Sequence, residues 1–337
     1  MGTFRNTLMF AIMVIIVTYV AILYVALNLN LGDISPVLSV SNLNYLTPTV
    51  FFRISALLLH SFSWYFIVKV FRNNVSPIKL LAITLVAIFT EVVLPIGGIT
   101  EITKILLVSQ FLSITHEATI SALLVHRLLL TVITAVVTII AINVIEVPLS
   151  VSLTILLPVV GLLALNTVML LLPSSQIFRK VVEKLTSRFN ISAQDFSIKY
   201  KESIKKLFSE GKLALILTSL TILAEKLANG VYGIYLCRLL STDINIFTSL
   251  VVFDSVYVVV WLLPVVTPGN LGIFETVQIM IFKLLGTSLK SAALIALLNR
   301  AITLITELPL MLLSTTYLGV RAKQLIRSVV SKERLFS

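Results

Sequence analysis

Charge is what this 337-residue chain lacks: Asp, Glu, Lys and Arg make up 12% of it, against 58% hydrophobic residues. A soluble domain carries roughly twice that share of charge to cover its surface, so a water-soluble globular fold is excluded. Cysteine is almost missing as well. The lone Cys237 rules out an intramolecular disulfide and any cysteine metal cluster. Only three histidines occur, His60, His116 and His126, and none follows an HExxH-like spacing, so no metal site is expected. Walker loops, nucleophile elbows and carboxylate pairs on a soluble loop are also missing. The chain is therefore not expected to be an enzyme, and neither catalytic residues nor cofactors are assigned.

In place of charge stand long apolar runs, with a mean hydropathy of +1.06. Windows at residues 8–31, 49–71, 117–146, 149–172, 212–238 and 290–319 reach the length of about 20 residues that crosses ~30 Å of hydrocarbon. An all-α, polytopic membrane protein follows. The first window starts after Arg5 and lacks a small-residue cleavage site, which reads as an uncleaved span rather than a signal peptide.

The net charge of +11 does not point to nucleic acid, because eighteen of the 26 basic residues flank the spans. They are Arg5, three between residues 69 and 79, nine between 179 and 212, and five from Arg321 onward. Placing these groups on one side satisfies the positive-inside bias, which puts both termini in the cytoplasm of a multi-pass protein of the cell membrane. Within 174–210, Ile177, Val181, Val182, Leu185 and Phe189 recur at helical spacing between basic residues, the pattern of an amphipathic helix on an anionic leaflet. Trp64, Trp261 and the tyrosines near span ends read as interfacial anchors.

Two regions, 80–115 and 247–286, interrupt this pattern in the same way. The first holds Pro95-Ile96-Gly97-Gly98 and Glu101, followed by His126-Arg127; the second holds Pro268-Gly269-Asn270-Leu271-Gly272 and Glu275, followed by Asn299-Arg300. Glutamate and arginine are 26 residues apart in one copy and 25 in the other. Proline, glycine and charge are costly in hydrocarbon, so their repetition in one order points to a polar site made by two related halves.

Chain parity sharpens this. With residues 79 and 174 both cytoplasmic, region 80–115 must begin and end inside, and region 247–286 must begin and end outside. Each is then a broken re-entrant hairpin, the limb 247–266 being long enough to reach deeper. Three crossings separate them, so the halves are expected to be inverted repeats, about 49–146 and 212–319, in one domain over 5–325 with a basic tail at 326–337.

In each hairpin the glycines precede a short helix whose unpaired N–H groups and partial positive charge suit an anion such as phosphate. The candidate binding residues are Gly97, Gly98, Glu101, Lys104 and Arg127, with Gly269, Asn270, Gly272, Glu275 and Arg300. The plainer alternative is tight turns with a carboxylate favourably placed at a helix start. Each glutamate needs a partner in hydrocarbon, and the arginine of its own repeat is the natural one. Glu225, Lys226, Asp254 and Glu307 are secondary candidates inside spans. Glu225 and Lys226 point to different faces, Glu307 is placed to give Arg300 a second partner seven residues on, and His126 reads as a headgroup contact.

These motifs resemble those of the lysylphosphatidylglycerol synthase transmembrane-region family, also called the flippase-like or UPF0104 family. The resemblance rests on Pro95-Ile-Gly-Gly with Glu101 and Arg127, then Pro268-Gly-Asn-Leu-Gly-Ile-Phe-Glu275 with Arg300, and spans about residues 5–325. It implies lipid transport: a flippase for a phosphate-bearing lipid with an anionic headgroup, either an aminoacyl-phospholipid or a polyprenyl-phosphate-linked sugar. A glycosyltransferase or aminoacyl-transferase partner is also implied, and a homo-oligomer is left open. Larger bacterial members of the family continue into a synthase domain. With the sequence running to Ser337, no synthase domain is expected here, and Asn270 stands where a second glycine is common. The alternatives are a membrane subunit supporting a glycosyltransferase and a secondary transporter of a small solute.

Overall fold

The computed structural model describes residues 43–94, 98–172, 193–262 and 267–319. The expected first span at 8–31, the apolar run from Ile177 to Phe189, the tail from residue 320, and Pro95, Ile96 and Gly97 lie outside the described residues. Among those described, the secondary structure is ten α-helices and one 3-10 turn, with no strand. The helices are α1 (Leu46–Lys69), α2 (Pro77–Val93), α3 (Ile99–Leu112), α4 (His116–Val144), α5 (Leu149–Leu171), α6 (Ala193–Ser209), α7 (Lys212–Leu239), α8 (Ile246–Leu262), α9 (Ile273–Leu284) and α10 (Leu289–Tyr317). Five of them, α1, α4, α5, α7 and α10, are long and apolar enough to cross a membrane.

Local chemistry sets the helix starts. Ser76 caps α2, with Pro77 at a position where its missing N–H is harmless. Thr115 and Ser288 cap α4 and α10 by accepting from the N–H of Ala118 and Ser291. Gly98 (φ 75°) and Gly272 (φ 80°) open α3 and α9 in a left-handed conformation that glycine enters without strain.

Lengths repeat along the chain: 24, 17, 14 and 29 residues in α1, α2, α3 and α4, then 28, 17, 12 and 29 in α7, α8, α9 and α10. Packing repeats with them. The most extensive helix pair is α1 with α7; α2 lies on α3 and against α10, while α8 lies on α9 and against α4. Exchanging α1 for α7, α2 for α8, α3 for α9 and α4 for α10 returns the same set of neighbours. Of the limb expected to reach deeper, 247–266, the described part is α8, 17 residues long as α2 is, and residues 263–266 lie outside the described residues.

Buried apolar side chains form two main clusters, one around Trp64, Ile83, Val108 and Ala122, the other around Leu236, Val251, Phe282 and Ile295. Val132, Val136, Ile139, Leu153, Leu157, Leu213 and Leu313 are exposed on the outer faces of the long helices, as hydrocarbon-facing residues are. Between helices, polar contacts replace the hydrophobic effect as glue: Thr218 Oγ1 donates to Ser63 O (3.1 Å), and Asn166 Nδ2 donates to Thr131 Oγ1 (2.7 Å). Close approach does the same for α7 and α8, where a Cβ on Gly233 would sit 2.2 Å from Ser249 Oγ.

Helix α6 is the described part of the amphipathic segment. It docks Tyr200 and Leu207 inward and exposes Lys199, Lys201 and Lys205. The Tyr200 hydroxyl donates to Leu170 O at the end of α5 (2.7 Å), and burial pushes its ionisation above that of an ordinary phenol, so it remains a donor.

Candidate functional site

The two chain breaks meet. Thr100 in the first turn of α3 and Asn270 in the turn before α9 both donate to Glu91 near the end of α2, at 2.5 and 2.9 Å. Around this junction lies a cavity of about 380 Å3, lined by residues of both helix pairs and of α1, α4, α7 and α10.

Seven of the ten candidate binding residues line it: Gly98, Glu101, Lys104, Arg127, Gly269, Asn270 and Arg300. Gly97 lies outside the described residues. Gly272 and Glu275 stand behind Arg300, where the Gly272 N–H donates to Glu275 Oε2 (2.7 Å) and Arg300 Nε donates to Glu275 Oε1. The arginine of the first repeat has its own carboxylate too, with Arg127 Nη2 3.5 Å from Glu101 Oε1. Position explains the match. Each glutamate is the third residue of its short helix, and each arginine the twelfth of the long helix that follows.

The residue before each arginine ties that long helix to the long helix before the break. His126 Nε2 lies 2.8 Å from Ser63 Oγ, and Asn299 Oδ1 accepts from the Tyr232 hydroxyl at 2.6 Å. Aromatic faces complete both sites, with Arg127 over Trp261 and Arg300 over Phe274, each 5.3 Å from the ring centre. Spare donors remain, since Arg127 Nε and Arg300 Nη2 are buried without an acceptor among the described residues.

All four secondary candidates line the cavity. Lys226 pairs with Asp254 (3.2 Å), and Asn229 Nδ2 approaches the same Oδ1 at 3.4 Å. His60 Nδ1 lies 3.3 Å from Glu225 Oε2, so Glu225 and Lys226 do have separate partners. Glu307 is a correction: it pairs with Arg53 from α1, not with Arg300, whose guanidinium is held by Glu275. His126 is another. It is 3% exposed, inside the bundle between His60 and Trp64, and makes no headgroup contact. Trp64 is fully buried and so is no interfacial anchor, while Trp261 is exposed with Arg127 over its ring.

Glu91, Arg53 and His60 were missed in the sequence. Arg53 and His60 sit inside an apolar window, and their partners lie 254 and 165 residues away. A charge within a span was the available signal for Arg53 and Glu91. Among the described residues no group of three or more His, Cys, Asp or Glu is placed to hold a metal ion.

Taken chemically, the site offers two arginines, a buried lysine and two helix starts to an acceptor-rich group. Residues 9–310 match the family model described as the lysylphosphatidylglycerol synthase TM region. No curated protein and no solved structure matches the chain.

Proposed function

The chain belongs to the lysylphosphatidylglycerol synthase TM-region family, an integral-membrane family, and we propose that it carries a phosphate-bearing lipid between leaflets. The cargo is an aminoacyl-phospholipid or a polyprenyl-phosphate-linked sugar. The observation that carries this reading is the junction of the two breaks: one polar cavity between helix pairs, with a paired arginine contributed by each half.

In this reading α2 with α3, and α8 with α9, are re-entrant hairpins. At 1.5 Å per residue these helices are roughly 18–26 Å long, short of ~30 Å of hydrocarbon. Three long helices, α4, α5 and α7, separate the pairs, so the hairpins enter from opposite faces and the halves are inverted. The neighbour pattern that survives exchange of the two halves supports this. An inverted repeat with broken helices meeting at mid-membrane is the arrangement that alternating access uses.

Arg127 and Arg300 would release part of their hold on Glu101 and Glu275 and grip phosphoryl oxygens through the spare N–H groups. The glutamates balance charge while the site is empty. Lysines on α6 draw anionic lipid toward the cytoplasmic side. The test is exchange of labelled lipid between leaflets in proteoliposomes. Arg127→Ala and Arg300→Ala are each expected to slow it by an order of magnitude or more; normal rates in both would sink the mechanism.

A further inference from the structure

Pairing off the charges in the cavity wall leaves two remainders. Arg53, Arg127, Lys226 and Arg300 each have a carboxylate within 4.0 Å, and His60 stands against Glu225. Lys104 and Glu91 have no oppositely charged partner among the described residues. Lys104 is only 6% exposed, and its one close contact of note is the Trp64 ring, 5.8 Å away. A buried ammonium in that position is normally matched by an anion.

Glu91 is satisfied differently. Its two oxygens accept from the Thr100 hydroxyl (2.5 Å) and the Asn270 side-chain amide (2.9 Å), so one carboxylate bridges the breaks of both helix pairs. These donors surround the start of α3, where N–H groups are unpaired and the helix end is partially positive. There is room beside them: a Cβ built on Gly98 meets nothing within 4 Å. The surroundings are those of an anion cradle, and the anion in it belongs to the protein.

We propose that Glu91 is the resident occupant of a phosphoryl-binding cradle. A cargo phosphate displaces its carboxylate from Thr100 and Asn270, pairs with Lys104, and thereby unties the two helix pairs. This rests on the reading of the cargo as phosphate-bearing. A phosphoryl oxygen accepts hydrogen bonds as a carboxylate oxygen does, so the donors exchange one acceptor for another and no proton moves. Every cargo must then compete with Glu91, and the side chain sets the affinity of the site. Movement also becomes conditional on loading, because the tie opens only when a second acceptor takes the donors.

A brace between the breaks, with no role in binding, predicts effects of a different sign. The experiment is the ligand-dependent rise in unfolding temperature of the full-length protein in detergent, each variant referred to its own ligand-free midpoint. Dioctanoyl phosphatidate and inorganic phosphate are the probes. Glu91→Gln keeps the shape, removes the competing charge and is expected to tighten phosphatidate at least tenfold, and Glu91→Ala does the same. Asn270→Ala and Lys104→Met are expected to weaken it at least tenfold. Weakening in both Glu91→Gln and Asn270→Ala overturns the proposal, as does an unchanged Glu91→Gln. Inorganic phosphate tells the phosphoryl group from the lipid: a gain with both probes, or with phosphatidate alone, upholds displacement by phosphate or by a lipid phosphate respectively. If neither probe moves the wild type or any variant, the phosphate-bearing reading fails and the proposal fails with it.

Discussion

Arg127 and Arg300 occupy matching places in unequal surroundings, and alanine variants measure the inequality. The side chains of Arg300 and Glu275 are 14% and 3% exposed, and those of Arg127 and Glu101 are 23% and 28% exposed. Truncating Arg300 strands Glu275 as a buried charge whose remaining donor among the described residues is the Gly272 N–H. Breaking a buried pair from one side costs about 3–5 kcal/mol. Truncating Arg127 breaks a 3.5 Å contact beside the cavity, where Glu101 keeps access to its interior, and the cost is at most about 1 kcal/mol. At ~2 °C per kcal/mol, Arg300→Ala lowers the unfolding midpoint by roughly 6–10 °C and Arg127→Ala by about 2 °C. Cys237 supplies the assay. It is the single cysteine and is fully buried in α7, so a thiol-reactive fluorophore labels it only as the bundle opens. Lipid exchange is expected to fall in both variants despite the gap in stability. Equal midpoint losses, or a wild-type midpoint in Arg300→Ala, would refute the argument that the more deeply buried pair contributes more to stability.

Other perturbations follow from the same geometry. Arg53→Met leaves Glu307 buried without its cation and is expected to cost about 3–5 kcal/mol by the thiol-labelling midpoint; adding Glu307→Leu restores most of it, since two apolar groups replace a pair. Gly233→Val forces its side chain into Ser249 and the Phe253 ring, whose atoms lie 2.2 and 2.4 Å from a built Cβ. The shift of α8 costs about 2 kcal/mol or more in the same assay, and Gly233→Ala less. Tyr200→Phe removes the bond to Leu170 O and about 1 kcal/mol of docking energy, so trypsin cuts at the exposed Lys199, Lys201 and Lys205 several times faster than in the wild type.

Most of the fold was legible because hydrocarbon demands long uncharged runs and marks their ends. The window 149–172 became Leu149–Leu171 and 290–319 became Leu289–Tyr317, each bounded by proline, serine or charge. The breaks were legible for the converse reason, as Gly98 and Gly272 are where backbone turns left-handed. The direction a side chain faces was not legible. Trp64 lies near a span end, as an interfacial anchor would, yet its helix turns it toward α2 and α4. Partner choice was equally hidden: seven residues on one helix made Glu307 look like a partner for Arg300, but α1 brings Arg53 closer. Glu91 carried the signal of a charge in an apolar stretch, but nothing near it in sequence shows that Asn270, 179 residues later, ends up against it.

Why so few charges should be concentrated at one junction follows from their cost. Each ion costs several kcal/mol to bury, and an apolar replacement for a complete pair would often be as stable or more so. Stability therefore does not explain the Arg127–Glu101 and Arg300–Glu275 pairs; each half carries one at the same position of the same helix. What a paired charge can do and an apolar residue cannot is change partners. The spare N–H groups on both arginines, with Lys104 left over, are donors held ready at the point where the breaks converge. Neither half forms that point alone, because the wall needs Asn270 from one break and Thr100 from the other, joined through Glu91. A site assembled across two breaks changes whenever either helix pair moves, which is what the proposed coupling of occupancy to the position of the backbone requires.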